Sequence, residues 1–216
     1  PYFAPWPDVV QLNPFADAYR QLAVETLTRI AEHADAVRCD MAMLMLDDVV
    51  QRTWGERVGA APAQNYWDRV IGSVRAAHPD FRFVAEAYWD REWDLQQLGF
   101  DHCYDKRLYD RLAHESAASV RGHLAAGLDY QNKLLRFLEN HDEPRAAATF
   151  PPRARNQALA VAIATLPGMT LWHEGQADGR PGDRNGPAGE LREGHGDAES
   201  GQQAHQPAGH AHRHRF

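Results

Sequence analysis

The sequence predicts an α/β protein built around a parallel β-sheet. Between residues 1 and 176, segments patterned like strands alternate with segments patterned like helices about five times. Such alternation is typical of parallel strands joined by right-handed helical crossovers. The composition, with 44% hydrophobic and 25% charged residues, is that of a globular protein.

The first half of the chain is predicted to hold two helices and two strands. Asn13 followed by Pro14 is typical of a helix start. Apolar residues at helical spacing follow this start, namely Phe15, Tyr19, Leu22, Ala23, Leu27 and Ile30. Residues 36–40 have the pattern of a strand end, and residues 81–87 that of a strand ending at Glu86. A second helical stripe lies between them, at Trp67, Val70, Ile71, Val74 and Ala77.

The second half continues the alternation. Residues 100–104 and 134–138 are predicted strands, and residues 106–126 between them are predicted to be helical. Residues 153–165, rich in Ala and Leu, predict a helix that a Pro-Gly pair ends. Residues 169–172 are the last predicted strand.

Two parallel architectures fit this alternation. A doubly wound sheet usually carries a Gly-rich phosphate loop after its first strand, and none is visible in the sequence. A (β/α)8 TIM barrel places its chemistry at the carboxyl ends of several strands. The polar residues of this sequence cluster at those positions, so the sequence predicts part of a TIM barrel.

The composition changes near residue 177. From there onward the only large apolar residues are Leu191 and Phe216, in a segment rich in Gly, Pro and His. Such a segment buries too little apolar surface to offset the entropy lost on ordering it. We therefore predict a barrel domain over residues 1–176 and a disordered tail over residues 177–216.

Charge and hydropathy exclude two classes of partner. A net charge of −7 opposes non-specific binding to nucleic acid, which requires a basic surface. The sequence has no apolar run of about 18 residues, so no membrane span is predicted. Cys39 and Cys103 are too few for a disulfide framework and are predicted to be buried thiols. No feature fixes the localisation, for which the cytoplasm is slightly favoured.

Three acidic residues lie at predicted strand ends: Asp40, Glu86 and Asp142. Arg38 shares one side of its strand with Asp40, and a neighbouring guanidinium lowers the pKa of a carboxyl group. Glu86 lies in an apolar run, which raises a carboxyl pKa and suits a general acid. Asp142 follows His141, and the pair can hold sugar hydroxyls. Retaining glycoside hydrolysis uses two such unequal carboxyl groups, although each residue alone is more typical of a helix cap, an ion pair or a loop.

Four segments resemble the strand motifs of the α-amylase family, glycoside hydrolase family 13. Residues 36–42 (AVRCDMA) resemble its fourth-strand motif, and residues 83–87 (FVAEA) its fifth. Residues 137–142 (FLENHD) resemble the seventh-strand motif, and residues 166–175 (LPGMTLWHEG) the eighth-strand segment. The four occur in the family's order, which implies that the chain corresponds to about strands 4 to 8 of the catalytic barrel.

The resemblance implies roles for single residues in cleaving α-glucosidic bonds with retention, by hydrolysis or transglycosylation. Asp40 would be the covalent nucleophile, and Glu86 the general acid and then base. Asp142 would be the third acid, which binds ring hydroxyls. By the same resemblance, Arg38 would orient Asp40, and His141 would bind sugar hydroxyls.

Aromatic residues near the strand ends are further candidates for substrate binding, because aromatic rings stack on sugar rings. Tyr88 and Trp89 lie in an acidic, aromatic stretch and are the best candidates. Trp54 and Trp172 are weaker ones. For each of the four, packing in the core or a loop is the alternative.

The sequence also departs from the family pattern. Ala36 stands where the family commonly has glycine, and the third-strand motif, with its Asp and Asn-His pair, is absent. The implied partner is an α-glucan or oligosaccharide, and no cofactor or metal is implied. The calcium ion that full-length relatives can bind would belong to a domain missing here. Catalysis is expected to be impaired, and a non-catalytic remnant that at most binds sugar or a partner chain is the alternative.

Overall fold

The structure, a computed structural model, describes residues 8–182. Nearly all of them fall in one compact unit, Val10–Asp183. Of the tail predicted over residues 177–216, residues 183–216 lie outside the described part of the chain. None of the helices between residues 8 and 182 is both long and apolar enough to span a membrane.

Five strands among the described residues form one parallel sheet: β1 Ala36–Cys39, β2 Arg82–Ala85, β3 His102–Tyr104, β4 Leu134–Arg136 and β5 Met169–Thr170. Their order in the sheet is their order in the chain. A doubly wound sheet would show a reversal of strand order, whereas a barrel adds each new strand on the same side of the last. The sheet therefore matches the predicted partial TIM barrel.

The register between β1 and β2 sets the positions of two acidic residues. Cys39 pairs with Ala85, and these are the last residues of the two strands. The next residues, Asp40 and Glu86, therefore leave the sheet side by side. Backbone hydrogen bonds continue beyond the strands, because Glu86 N–H donates to the Cys39 carbonyl at 3.0 Å and Ala42 N–H donates to the Glu86 carbonyl at 3.1 Å.

Within the described part of the chain, nine α-helices connect and flank the strands: α1 Asp17–Ala31, α2 Asp47–Trp54, α3 Tyr66–Ala77, α4 Glu92–Gln97, α5 Lys106–His114, α6 Ala117–Leu124, α7 Leu128–Gln131, α8 Ala146–Thr149 and α9 Arg153–Thr165. Two 3₁₀ turns, Ala42–Met45 and Gly55–Val58, flank α2. The bounds of α9 agree with the prediction.

The first helix begins later than predicted. A turn at Asn13, whose Oδ1 accepts a hydrogen bond from Phe15 N–H at 2.9 Å, precedes α1. Leu22 and Ile30 of the predicted apolar stripe lie in α1, as predicted, but their side chains are exposed. The buried residue of α1 is Arg20, which donates to carbonyl oxygens of two neighbouring segments.

The helix predicted over residues 106–126 is two helices, α5 and α6. Ser116 lies between them with an extended backbone. Its Oγ accepts a hydrogen bond from Ser119 N–H at 3.3 Å, which caps α6. The serine cap starts a new helix although the apolar pattern continues across the break.

Two apolar clusters fill the described unit. In the first, the rings of Trp67 and Phe100 meet edge to face, with centroids 4.9 Å apart. Trp67 Nε1 also donates to the Ala42 carbonyl at 2.7 Å, which fixes the segment after β1 against this core. The second cluster surrounds β4 and includes Phe137 and Phe150, both buried. The two clusters hold the strands from which the polar residues project.

A buried charge network joins β3 to β4. Asp105, directly after β3, contacts Arg136 Nη1 and His123 Nε2, each at 2.9 Å. Its Oδ1 accepts from Leu108 N–H at 3.1 Å, which caps α5. Arg136 is fully buried and also donates to the Pro167 carbonyl at 3.0 Å. Removing one ion of such a network leaves its partner charged and buried.

We expect Asp105→Ala to lower the free energy of unfolding by about 3–5 kcal/mol, because Arg136 then loses its counter-ion inside the protein. Asp17→Ala is the matched control, since Asp17 pairs with Arg69 at an exposed position; its cost should stay within about 1 kcal/mol. Urea denaturation followed by circular dichroism measures both. Equal costs for the two variants would contradict the role given to the network.

Glu92, at the start of α4, is a buried carboxyl group beside β3. It is 3% exposed, and its Oε1 has no hydrogen-bond partner among the described residues. Burial raises the pKa of Glu92 to about 7, with Asp90 and Asp105 adding to the rise. The folded protein therefore binds this proton more strongly than the unfolded chain. The resulting stabilisation is complete below pH 4.5 and is lost as the pH rises through about 7.

Glu92→Gln should remove this dependence on pH. Relative to the variant, the wild-type chain should lose about 3 kcal/mol of unfolding free energy between pH 4.5 and pH 8, because a pKa difference of one corresponds to about 1.4 kcal/mol. Urea midpoints across this pH range measure the difference. Glu25→Gln, an exposed change on α1, is the control and should follow the wild type. A constant difference between wild type and Glu92→Gln would refute the raised pKa.

Candidate active site

The guanidinium group of Arg38 contacts all three predicted acidic residues. Its Nη1 donates to Asp40 Oδ1, its Nη2 lies 2.8 Å from Glu86 Oε1, and the same Nη2 lies 3.7 Å from Asp142 Oδ2. Its Cζ lies over the ring of Tyr104 on β3, 5.6 Å from the ring centroid. The structure thus brings residues from β1, β2 and the segment after β4 together around one cation.

The Glu86 carboxyl group is enclosed. Its side chain is 5% exposed. Oε2 accepts from Met41 N–H at 2.7 Å, and Oε1 accepts from the Tyr88 hydroxyl at 3.2 Å. Burial raises the pKa of Glu86; the Met41 N–H and Arg38 oppose the rise, and the neighbouring carboxylates add to it. A carboxyl group that keeps its proton to higher pH suits a general acid.

Asp40 has a different environment from Glu86. Its side chain is 77% exposed and pairs with Arg38. One carboxyl group is therefore open to solvent and next to a cation, whereas the other is buried and has a raised pKa. Two carboxyl groups so differently surrounded can divide the work of nucleophile and acid.

The loop after β4 presents Asp142 and His141. Asn140 is buried, and its Oδ1 accepts from the N–H groups of Asp142 at 2.9 Å and Glu143 at 2.8 Å. This Asx-type turn fixes the backbone that carries Asp142. His141 is mostly exposed, and its Nε2 lies 3.0 Å from Asp142 Oδ2. Both side chains therefore reach solvent on the side of the cluster around Arg38.

A second polar cluster, which sequence reasoning missed, supports the same loop. Glu139 is 1% exposed, and its Oε1 lies 2.7 Å from Arg145 Nη1 and 3.3 Å from His173 Nδ1. Its Oε2 accepts from Ala146 N–H at 2.6 Å. The contacts join the segments that follow β4 and β5. Glu139 lies within the seventh-strand motif and His173 within the eighth-strand segment, but only tertiary packing brings them and Arg145 together.

The aromatic candidates lie in different environments. Tyr88 and Trp89 are half-buried and pack against the first apolar cluster. Trp172, after β5, is half-exposed, and Trp54 ends α2. The hydroxyl of Tyr88 contacts Glu86, an acidic residue of the cluster around Arg38.

Residues with left-handed backbone conformation follow β1 and β2, the strands that lead into Asp40 and Glu86. Met41, next to Asp40, has φ 41°, and Trp89 and Asp90 have φ 61° and 58°. Residues with side chains adopt this left-handed region at a cost of roughly 1–2 kcal/mol each. In return, the turn at Met41 points its N–H at Glu86.

A parallel, barrel-type sheet whose strand ends gather three carboxylates around an arginine defines a barrel enzyme's active-site face. No family model matches the chain. The α-amylase MalA of Haloarcula japonica is 24% identical over 188 residues, which cover 83% of this chain and 26% of that protein.

Solved structures show the same fold. An α-amylase from Lactobacillus plantarum has a TM-score of 0.59 at 22% identity and is matched over 81% of this chain and 45% of its own. An α-amylase from H. orenii has a TM-score of 0.61 at 17% identity, over 84% of this chain and 38% of its own. The chain thus spans about a quarter of the curated relative and less than half of each structure. These likenesses show that the chain has the fold of part of the catalytic barrel of these α-amylases, in agreement with the partial TIM barrel predicted from the sequence.

Arg38→Gln should leave three neighbouring carboxyl groups without their shared cation. We expect the free energy of unfolding to fall by about 1–3 kcal/mol at neutral pH, and by less at mildly acidic pH, where the proton on Glu86 relieves the repulsion. Urea denaturation at the two pH values measures the loss. Arg82→Gln is the control, because its partner Asp101 keeps Arg75 at 2.6 Å. A loss independent of pH would argue against charge as its cause.

Proposed function

We propose that this barrel part carries the residues that cleave α-glucosidic bonds with retention, by hydrolysis or by transfer to a second sugar. The observation that carries the proposal is the convergence of Asp40, Glu86 and Asp142 on Arg38. Retaining glycosidases need two carboxyl groups about 5–5.5 Å apart, and contacts to one guanidinium keep Asp40 and Glu86 close. The names of the matched proteins, α-amylases and a cyclic maltosyl-maltose hydrolase, support the substrate class.

The proposed reaction has two steps. In the first, the Asp40 carboxylate forms a bond to the anomeric carbon while Glu86 gives its proton to the departing glycosidic oxygen. In the second, the Glu86 carboxylate takes a proton from a water or a sugar hydroxyl, whose oxygen attacks the anomeric carbon and releases Asp40. Exposure of Asp40 and burial of Glu86 support this assignment.

The remaining residues would bind and orient the sugar and the catalytic groups. Asp142 and His141 would form hydrogen bonds with ring hydroxyls, since both side chains are accessible beside the cluster. Arg38 would orient Asp40 through their ion pair. Trp89 and Tyr88 would form an apolar wall near Glu86 against which a sugar ring can pack.

We further propose that residues 1–216 alone have little activity. In the described sheet, β1 and β5 each pair with one neighbour, so the active-site face is open on two sides. Unpaired strand edges and an unenclosed cleft weaken both folding and the exclusion of water. The same observation favours the second candidate, a non-catalytic remnant that binds sugar weakly or docks to another chain.

Assays with maltose, maltotriose and a nitrophenyl α-glucoside test both proposals. We expect weak turnover that Asp40→Asn and Glu86→Gln reduce by at least about a hundredfold, because each removes one half of the acid–nucleophile pair. Asp48→Asn, on α2 outside the cluster, is the control and should leave the rate unchanged.

The outcomes separate the two candidates. Turnover by Asp40→Asn at the wild-type rate would contradict the assignment of Asp40 as the nucleophile. Binding of maltotriose by calorimetry without turnover in any assay would favour the remnant. Strong turnover abolished by Asp40→Asn would support the chemistry and overturn the proposed impairment.

A further inference from the structure

The Tyr88 hydroxyl contacts the proposed general acid directly. Tyr88 follows Glu86 by two residues in the loop after β2, and in extended chain such residues project to the same side. Its hydroxyl donates to Glu86 Oε1 at 3.2 Å. Burial, followed by the charge of Glu86, raises the pKa of the phenol. The hydroxyl therefore keeps its proton and acts as a donor at any pH at which an enzyme works.

Two hydrogen bonds hold the two oxygens of Glu86 from different loops. Met41 N–H donates to Oε2 at 2.7 Å from the left-handed turn after β1. The Tyr88 hydroxyl holds Oε1 from the loop after β2. Arg38 Nη2 lies 2.8 Å from the same Oε1 but makes no aligned hydrogen bond to it. Rotation of the carboxyl group would break one bond or both, so its plane is fixed.

We propose that Tyr88 is a positioning residue for Glu86, whose hydroxyl fixes Oε1 and favours the ionised carboxylate against the burial that opposes it. The inference rests on the proposed function, in which Glu86 must lose a proton in the first step and take one back in the second. It gives Tyr88 a role through its hydroxyl, beyond the packing of its ring against a sugar.

The charges around Glu86 set the direction of the effect. Asp40 and Asp142 repel a negative charge on Glu86, whereas Arg38 attracts it. The charges of Glu143 and Asp142 also act on Tyr88 and raise its pKa. Among these groups, the Tyr88 hydroxyl is neutral and can be removed while the charges and the ring stay in place. Its loss should leave the ionised Glu86 with one donor fewer and make Glu86 hold its proton more strongly.

Tyr88→Phe tests the proposal in the full chain. Glutamate labelled with ¹³C at the carboxyl carbon is incorporated, and the Glu86 signal is assigned by its disappearance in Glu86→Gln. We expect Tyr88→Phe to lower the acid dissociation constant of Glu86 by roughly three- to tenfold, because a hydrogen bond to the ionised carboxylate is stronger than one to the neutral acid. Tyr66→Phe, which removes the hydroxyl of another buried tyrosine, is the control and should leave the titration unchanged.

The readout does not depend on turnover, so it separates this inference from the proposed function. A Glu86 titration that is the same in wild type and Tyr88→Phe, or that moves to lower pH, overturns the positioning role even if the enzyme is active. A shift to higher pH supports it even if no substrate is cleaved. Where turnover is measurable, the alkaline limb of the pH–rate profile should move in the same direction, which a merely structural loss would not cause.

Discussion

The positive charge of Arg38 is the constraint on which the candidate site depends. Three carboxyl groups from three parts of the chain lie around it, at Asp40, Glu86 and Asp142. Without a shared cation, like charges at such distances would repel one another and raise the pKa of at least one group. Arg38 lowers this repulsion without abolishing it, and the pKa of Glu86 remains raised because burial outweighs its ion pair. Arg38 thus holds the three acidic residues together, while Asp40 and Glu86 differ in their exposure to solvent.

The parallel register explains why this cluster forms at all. Cys39 pairs with Ala85, so the residues after β1 and β2 emerge at the same level of the sheet. The backbone then turns sharply at Met41, in a conformation that residues with side chains rarely adopt. That turn supplies the N–H that holds Glu86. The strained turn at Met41 therefore also fixes the orientation of the Glu86 carboxyl group.

Much of the fold could be predicted from the sequence because its signals are local. The strands beginning at residues 36, 82, 102, 134 and 169 lie within the predicted segments, and their sequential order confirms the barrel-type sheet. The α1 start and the break at Ser116 differ because short polar side chains compete for backbone N–H groups. Buried Arg20 was also missed, since apolar spacing assigns the buried face of a helix to apolar residues.

The three acidic residues could be predicted because each follows an apolar run predicted to be a strand, and the structure brings them together. Their supporting groups could not, because they act across the sheet and not along the chain. The pairing of Glu139 with Arg145 and His173 depends on the packing of the segments after β4 and β5. The hydroxyl contact of Tyr88 depends on two side chains that leave the sheet on one side. Sequence spacing predicts which strand a residue ends, whereas hydrogen-bond geometry requires the folded chain.

The site also depends on a strand that contributes no acidic residue to it. Between β2 and β4 lies β3, whose Tyr104 ring lies beneath the Arg38 guanidinium. The position of β3 relative to β4 is held by Asp105 and Arg136, both buried. A shift of β3 would move Asp142, which follows β4, away from Arg38, which lies on β1. The buried ion pair and the backbone hydrogen bonds between β3 and β4 together hold Asp142 near Arg38, so the interactions that stabilise the sheet also set the geometry of the site.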